Sequence, residues 1–521
     1  MFGYVYDDIM QLHANPYDPK GKTQERPERT VLIHSRLQND GLLKHAINIK
    51  LRAAEDWELC LNHPHELITE LEEMKTVEEL EDYCKGHELL WLCPDSVRIA
   101  RLVVGGVIDF VRANIEGRIG NGFAIVRPPG HHSYGKLPQG FCIFNNIAIC
   151  AKYAILVLDI DYHCGNGLYH SFKGDDRFLY INFHAYHYGA FWPYEEEYDY
   201  DNKYGNIISI PLNSAMNTEG DYIGALQHLV IPIALEYQPE LILVALGFDS
   251  AYYDDLLEHG QAIKAHGYGH IMKMLDGLWP NKVLAVLEGG YFSGSYTECA
   301  AMSVRGLRVC IDCFAIISID DRDGRMKLPK LRYPKRINAC MAETLWNSLC
   351  YHAKRWTNIA KHLNELQDMQ IKHGLPKYIP PATKIFLGDN FRKLWNDIQE
   401  LKVARTRDWI PGMSDDDMCI AKKKIDEYVL IIILKQYEYD IPTDELTEDE
   451  FLEQLLWYSG RRGEAFLKSI PTTLFFYNSM RECMKDENGI YLIVDMYAYR
   501  KAAHKYRLMQ KNQHDNSNRT D

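Results

Sequence analysis

Two aspartates and a histidine stand two residues apart in one short segment: Asp159, Asp161 and His163. In an extended chain these positions share one face, so a carboxylate and an imidazole can reach one ion. A turn capped by hydrogen-bonded aspartates is the alternative, but burying two carboxylates without a cation is energetically unfavourable. The spacing therefore predicts a metal site.

A third carboxylate belongs to a second segment of the same kind, in which Asp249 follows the end of an apolar run at Leu246. Two aspartates and one histidine would leave a fourth coordination position open for water or substrate. That arrangement is expected of a catalytic zinc ion, because structural zinc sites are closed by four protein ligands.

Two further segments carry groups that could move protons or stabilise charge. His131 and His132 are adjacent and follow a Pro-Pro-Gly turn that stops any helix. Alone they would more often be surface or core histidines. Tyr291 follows a pair of glycines, which allow a close backbone approach. We predict that the histidine pair, the metal ligands and this tyrosine meet at one edge of the fold.

Six short apolar runs rich in β-branched residues would position these groups. They begin at residues 124, 155, 178, 207, 241 and 283, and helical patterns separate them. The alternation of apolar runs and helical patterns predicts βαβ units around a parallel sheet. Because the runs are apolar throughout, we expect strands that are covered on both faces. The candidate residues follow the carboxyl ends of the runs, where open α/β sheets bind ligands.

The composition limits the classes of function. With 521 residues, 46% of them hydrophobic, the chain can build a large catalytic domain and a further region. The net charge of −14 gives no basic surface for nucleic acid. The start lacks the features of a signal peptide, and no apolar run reaches the roughly 18 residues of a membrane helix. We expect a protein of the nucleus or cytoplasm with free thiols.

Five motifs occur in the order RPPGHH, GFCIFNN, DIDYHCGNG, GFD and LEGGY. Together they resemble the histone deacetylase family, class II branch, and the resemblance extends from about residue 4 to about residue 356. The fold that it implies is an open α/β domain of the arginase and deacetylase type, with helices flanking a central parallel sheet. This fold agrees with the strand prediction.

The resemblance implies one zinc ion per chain, held by three ligands: Asp161, His163 and Asp249. His132 would act as general base and later as general acid, with His131 as electrostatic support. Asp159 would orient His131, and Asn166 would orient His132. Tyr291 would donate a hydrogen bond to the developing oxyanion.

The resemblance also implies a narrow channel for the acyl-lysine side chain. Two aromatic walls and two glycines would form it: Phe141, Trp192, Gly140 and Gly290. A potassium ion close to the zinc, as a structural ion, is implied at Asp159 and at the backbone of Asp161 and His163. The tyrosine at position 291 is informative, because a class II subgroup with weak acetyl-lysine activity carries histidine there.

The sequence departs from the family pattern between the second and third motifs. The family has roughly ten more residues before the run at Ile155, so either the preceding helix is shortened or the strand that carries the metal ligands is strained. Cys164, Asn182 and Tyr253 replace the usual histidine, serine and glycine. An acidic, tyrosine-rich stretch, residues 194–204, replaces a glycine-rich one. We expect these changes to alter the rim of the site more than its metal.

Beyond the resemblance, the prolines and glycine between residues 374 and 381 indicate a linker. We predict a catalytic domain over 1–365, a linker over 366–382, an α-rich or α+β region of unknown function over 383–509 and a disordered tail over 510–521.

The leading hypothesis is a hydrolase that deacetylates N-acetyl-lysine in histone tails or other proteins, with corepressors as further partners. Deacetylation of a polyamine is the second: one class II relative has an acidic gatekeeper where this chain has Leu256, although Glu258 is near. A catalytically impaired scaffold is the third, favoured by the shortened connection. An arginase-like enzyme would need ligands for two metals, and the sequence offers one set.

Overall fold

The structure, a computed structural model, describes residues 1–18, 23–151, 155–189, 191–213, 217–251, 254, 263–308, 339–382, 384 and 386. Several predictions made above fall outside these ranges. They concern Tyr253, the gatekeeper position Leu256 with Glu258, and the region after residue 386.

Eight parallel strands form one sheet in the order β2-β1-β3-β8-β7-β4-β5-β6. Their bounds are β1 Gly3–Val5, β2 Ile47–Ile49, β3 Gly122–Ala124, β4 Ile155–Asp159, β5 Phe178–Ala185, β6 Ile207–Leu212, β7 Leu241–Leu246 and β8 Val283–Leu287. Every residue of β3 to β8 is buried, so both faces of the sheet are covered there. The predicted parallel α/β sheet is confirmed.

Helices surround this sheet in the part of the chain that the structure describes. They are α1 Glu28–Asn39, α2 Asp56–Leu59, α3 His65–Glu73, α4 Val77–Cys84, α5 Ser96–Ile115, α6 Asn146–Cys150, α7 Asn166–Phe172, α8 Glu219–Ala225, α9 Ile231–Tyr237, α10 Ala265–Leu278, α11 Ser293–Arg308, α12 Ala339–His352 and α13 Thr357–Lys372. Among the described residues, none of the helices has the length and apolar character needed to span a bilayer.

The shortened connection before β4 is accommodated by the helix and not by the strand. α6 has only five residues, and the side chain of Asn145 caps it by accepting a hydrogen bond from Ala148 N at 2.9 Å. β4 pairs in full with both β5 and β7, from Ile155 to Asp159. The strand that precedes the metal ligands is therefore regular, and the first of the two alternatives is the one observed.

Asn206 holds the turn between α7 and β5 together with one buried amide group. Its Nδ2 donates to the backbone oxygens of Phe172, Asp175 and Phe178 at 2.8, 3.0 and 3.2 Å, and its Oδ1 accepts from Gly174 N at 3.1 Å. Three carbonyls and one amide of this turn are thus joined by one side chain, and the oxygens of Phe172 and Asp175 also accept from the amides of Asp175 and Phe178.

Replacing Asn206 with alanine is expected to lower the free energy of unfolding by roughly 2–3 kcal/mol, because the turn would lose the four hydrogen bonds that this buried side chain makes. The urea-unfolding midpoint would measure this change. Asn39, which is exposed on α1, is the matched control, and its replacement by alanine should change stability by less than about 0.5 kcal/mol. Equal midpoints for the two variants would contradict the prediction.

The predicted boundary between residues 365 and 366 falls inside α13, so that part of the domain prediction is wrong. Gln370 is fully buried, and its Oε1 accepts from Tyr378 N at 3.0 Å. The Tyr378 ring packs on Trp346, 5.4 Å between centroids, and its hydroxyl donates to Asn347 at 2.7 Å. Residues 366–378 therefore pack against the catalytic domain, because their apolar and polar groups find partners there.

Candidate active site

Three candidate metal ligands converge at the carboxyl edge of two neighbouring strands. Asp161 and His163 follow β4, and Asp249 follows β7, which pairs with β4. One donor atom from each of the three lies within 4.8 Å of the others. His163 Nδ1 is 3.1 Å from Asp249 Oδ2 and 3.4 Å from Asp161 Oδ1. The residues that the spacing singled out are thus brought together.

Backbone amides hold the two carboxylates in place. Asp161 accepts from His163 N and from Gly289 N, both at 2.9 Å, and Asp249 accepts from Tyr162 N at 2.8 Å. A Cβ atom on Gly289 would lie 2.5 Å from Asp249 Oδ2. Only glycine fits at this position, because the backbone itself forms a wall of the site.

This set of donors fits a zinc ion. A catalytic zinc ion has three protein ligands and keeps its fourth coordination position for water or substrate. Two buried carboxylates and an imidazole can be those three ligands. Burial and the nearby charge of Asp161 raise the pKa of Asp249 to about 7. Burial opposes ionisation of Asp161 as well, but His131 and His163 hold its pKa below the ordinary value. A cation between the two carboxylates would relieve their repulsion. Among the described residues this is the one cluster of three such ligands, so no second metal site of the arginase kind is seen there.

The adjacent histidines lie beside the metal ligands, each hydrogen-bonded through Nδ1. His131 Nδ1 is 3.2 Å from Asp159 Oδ2, and His132 Nδ1 is 3.1 Å from Asn166 Oδ1. The ring centroids of the two histidines are 3.9 Å apart. These are the contacts that the predicted orienting roles require. Tyr180, which the sequence analysis missed, also donates to Asp159, at 3.0 Å.

The surroundings push the pKa values of the two histidines apart. Burial lowers the pKa of His132 well below its ordinary value, and the positive charges of His131 and His163 lower it further. Burial also disfavours a charge on His131, but the carboxylates of Asp161 and Asp159 raise its pKa to about 10. The two neighbouring imidazoles thus differ in basicity, a separation typical of acid and base partners. A cation at the carboxylates would offset part of the charge that raises the pKa of His131.

Tyr291 follows β8, the strand that pairs with β7 in the sheet. The Arg29 guanidinium lies 4.8 Å from the centre of its ring and donates to Gly290 O at 2.7 Å. Asp254 accepts from Tyr291 N at 2.6 Å and from Phe292 N at 3.2 Å. Burial raises the pKa of Tyr291 well above 10, so its hydroxyl keeps the proton that it would donate.

The two predicted aromatic walls border the histidines and the tyrosine. The Trp192 ring is perpendicular to His132 with 5.1 Å between centroids, and Phe141 is 5.9 Å from Tyr291. The two predicted glycines also lie here: a Cβ on Gly140 would come within 2.5 Å of His132 Cδ2, and Gly290 has a φ of 104°.

An exposed loop that contains Glu88 and Leu89 is hydrogen-bonded to both aromatic residues, Trp192 and Phe141. Glu88 Oε2 accepts from Trp192 Nε1 at 3.0 Å, and Leu89 O accepts from Phe141 N at 3.0 Å. The sequence analysis missed this loop, because nothing in its composition marks it. Two of the departures from the family pattern lie elsewhere: Cys164 and Asn182 are buried and contact each other at 3.6 Å. The expectation that they alter the rim was therefore wrong.

In the part of the chain that the structure describes, the fold and the site define an open α/β domain with one candidate metal site at the carboxyl edge of its sheet. Residues 23–307, more than half of the chain, match a family model described as a histone deacetylase domain. The chain belongs to the histone deacetylase family. The predicted resemblance is confirmed, and zinc dependence is general to this family.

Curated relatives and a solved structure show how far the likeness extends. The chain is 36% identical to "Polyamine deacetylase HDAC10" of Homo sapiens over 318 residues, which cover 58% of this chain and 47% of the relative. It is 32% identical to "Histone deacetylase clr3" of Schizosaccharomyces pombe over 331 residues, covering 58% and 48%. The chain thus spans about half the length of these relatives. The structure titled "Crystal Structure of HDA15 HD domain" superposes with a TM-score of 0.59 at 27% identity, covering 70% of this chain and 98% of that one.

Proposed function

We propose that the chain hydrolyses N-acetyl-lysine amides in histone tails or other proteins, releasing acetate and free lysine. The observation that carries the proposal is that three candidate zinc ligands lie beside a hydrogen-bonded histidine pair, with aromatic rings against His132 and Tyr291. Asp161, His163 and Asp249 would hold the zinc ion. A structural potassium ion near Asp159 belongs to the same proposal.

Zinc, when bound, would lower the pKa of a coordinated water towards about 7 and polarise the amide carbonyl. The hydrogen bond from His132 Nδ1 to Asn166 Oδ1 fixes the proton on Nδ1, since an amide oxygen only accepts. His132 Nε2 is then the atom that takes a proton from water and returns it to the departing lysine amine. His131, which is hydrogen-bonded to Asp159, would give electrostatic support to the reacting group.

Tyr291 would donate its hydroxyl proton in a hydrogen bond to the amide oxygen as that oxygen gains negative charge. Phe141 and Trp192 would enclose the methylene stem of the substrate lysine, which is apolar along its length. Such a channel excludes water and admits an uncharged acyl-lysine head, because a charged ammonium would lose its hydration on entry.

The metal content of the purified chain and the turnover of an acetyl-lysine peptide test the proposal together. We expect one equivalent of zinc and turnover that a chelator abolishes. A folded chain with neither would refute the proposal and favour a scaffold. The full pairing of β4 and the convergence of the three candidate ligands count against that alternative.

Tyr291→Phe is expected to reduce kcat by roughly 100- to 1,000-fold with zinc retained, because one donor to the developing oxyanion is lost. Tyr237→Phe is the matched control, since the Tyr237 hydroxyl donates to Arg177 O on the exposed surface. Steady-state kinetics with the same peptide would measure both. Undiminished kcat in Tyr291→Phe would refute the role given to this hydroxyl.

A second candidate function is deacetylation of a small polyamine. The relative at 36% identity, whose name is polyamine deacetylase, supports it. Comparing kcat/KM for acetylspermidine and for an acetyl-lysine peptide would decide between the two substrates. We place the protein in the nucleus or cytoplasm, with corepressors as further partners and no direct contact with nucleic acid.

A further inference from the structure

Glu288 is a fully buried carboxylate at the end of β8, and the mechanism above gives it no role. Its Oε2 accepts hydrogen bonds from Gly130 N at 2.7 Å and from His131 N at 3.2 Å. Its Oε1 is buried without a hydrogen-bond partner among the described residues. Arg29 donates to the backbone oxygen of Glu288 at 2.6 Å. The hydrogen bonds of this carboxylate thus go to the backbone that carries the histidine pair.

The turn formed by Gly130, His131 and His132, here called the histidine turn, is held by hydrogen bonds to both its carbonyl groups and its amide groups. Glu288 accepts the bonds from the amide groups. On the carbonyl side, His131 O accepts from Leu168 N at 3.1 Å and His132 O accepts from Gln139 Nε2 at 3.0 Å. On the amide side, the carboxylate of Glu288 is the acceptor. Without it, two buried amides would lose their hydrogen bonds, which favours a shift of the turn.

Glu288 also begins the four-residue segment that ends at Tyr291. Within this segment, Gly289 N donates to Asp161 Oδ2 at 2.9 Å. Glu288 therefore contacts the histidine turn, and Gly289 contacts the metal ligand Asp161. In the proposed mechanism, Tyr291 contacts the substrate oxygen. A displacement of the histidine turn relative to this segment would change all the distances between the proton-transfer groups and the oxyanion donor.

We propose that Glu288 is a positioning residue, which fixes His131 and His132 relative to the zinc ligands and Tyr291 by accepting from the amides of Gly130 and His131. The inference rests on the proposed deacetylation. It assigns Glu288 no contact with substrate, so its loss should change kcat and leave KM and zinc content unchanged.

Glu288→Met and Glu288→Gln form a matched pair of similar size that differ in the acceptor oxygen. We expect the Met variant to lose on the order of 100-fold in kcat, the usual effect of a misplacement of about 1 Å, with KM and zinc unchanged. The Gln variant keeps one acceptor oxygen and should lie closer to wild type. Equal kcat values for the two variants would overturn the inference, and so would loss of zinc or failure of the Met variant to fold.

Hydrogen exchange at the Gly130 and His131 amides gives a readout that does not depend on turnover. Both amides should exchange slowly in wild type and in Glu288→Gln, and faster in Glu288→Met. Unchanged exchange in the Met variant would overturn the inference even if the wild type had no deacetylase activity. Absence of wild-type turnover alone would count against the proposed function only.

Discussion

Asp249→Asn is expected to leave the chain folded but without zinc and without measurable turnover of an acetyl-lysine peptide. The asparagine oxygen can still accept from Tyr162 N, which the aspartate now does at 2.8 Å, so the local backbone should keep its position. The amide lacks the negative charge that a zinc ligand supplies. We expect kcat to fall by more than the roughly 100-fold that loss of a residue supporting a ligand can cause.

Zinc per chain, melting temperature and steady-state kinetics would be measured on the same preparation. Asp276→Asn is the matched control, because Asp276 on α10 accepts from Asn121 Nδ2, at 2.6 Å, in a part of the fold without metal ligands. This control should keep one equivalent of zinc and wild-type turnover. A zinc-loaded, active Asp249→Asn chain would show that the ligands were assigned wrongly.

Glu25→Gln is expected to lower the free energy of unfolding by about 3–5 kcal/mol, the usual effect of removing one partner from a buried ion pair. Glu25 and Arg127 are fully buried, with two contacts of 2.9 and 2.7 Å, and Arg29 approaches the same carboxylate at 3.3 Å. The amide would leave the Arg127 guanidinium without its charged partner and would remove one of the carboxylates near Arg29. Because Arg29 also supports Gly290, turnover should fall as well.

The pH dependence provides an internal check on this prediction. Burial opposes ionisation of Glu25, but the charge and hydrogen bonds of Arg127 lower its pKa from 4.5 to about 2. The contribution of the Glu25 carboxylate to the free energy of unfolding is therefore fully present above pH 4.5 and is lost as the pH falls towards 2. The difference in the free energy of unfolding between wild type and Glu25→Gln should be constant from pH 6 to 8, and it should become smaller below about pH 4.

Urea unfolding across this pH range would measure the effect. Glu28→Gln is the control, because Glu28 is exposed in the first turn of α1 and its charge there is worth less than about 1 kcal/mol. A destabilisation of the same size in both variants would contradict the prediction.

The core strands could be predicted from the sequence because they are continuous apolar runs. β4 to β8 begin where those runs begin. β1 and β2 were missed, since each has three residues and neither shows a distinctive pattern. β3 begins at Gly122, two residues before the run that predicted it, and ends at Ala124, the first residue of that run. Length and apolar continuity thus decided which strands could be found.

The candidate site could be predicted where spacing or motif revealed it, as for Asp161 and His163. The supporting residues could not be predicted, because they act on the backbone of distant segments. Arg29 donates to the backbone of Gly290, 261 residues away, and Glu288 accepts from the backbone of His131, 157 residues away. A hydrogen bond to a backbone group does not depend on the side chain of the residue that is contacted, so the sequence does not indicate it.

The strand order that makes the site has a consequence for biosynthesis. The histidines, the metal ligands and the tyrosine follow β3, β4, β7 and β8, which are neighbours in the sheet but distant in the chain. His163 and Asp249 alone are separated by 86 residues. A nascent chain therefore has no local precursor of the site, and contacts between distant segments form slowly. The three candidate zinc ligands come together only when β4 and β7 have paired, so the site cannot be complete before Asp249 has left the ribosome.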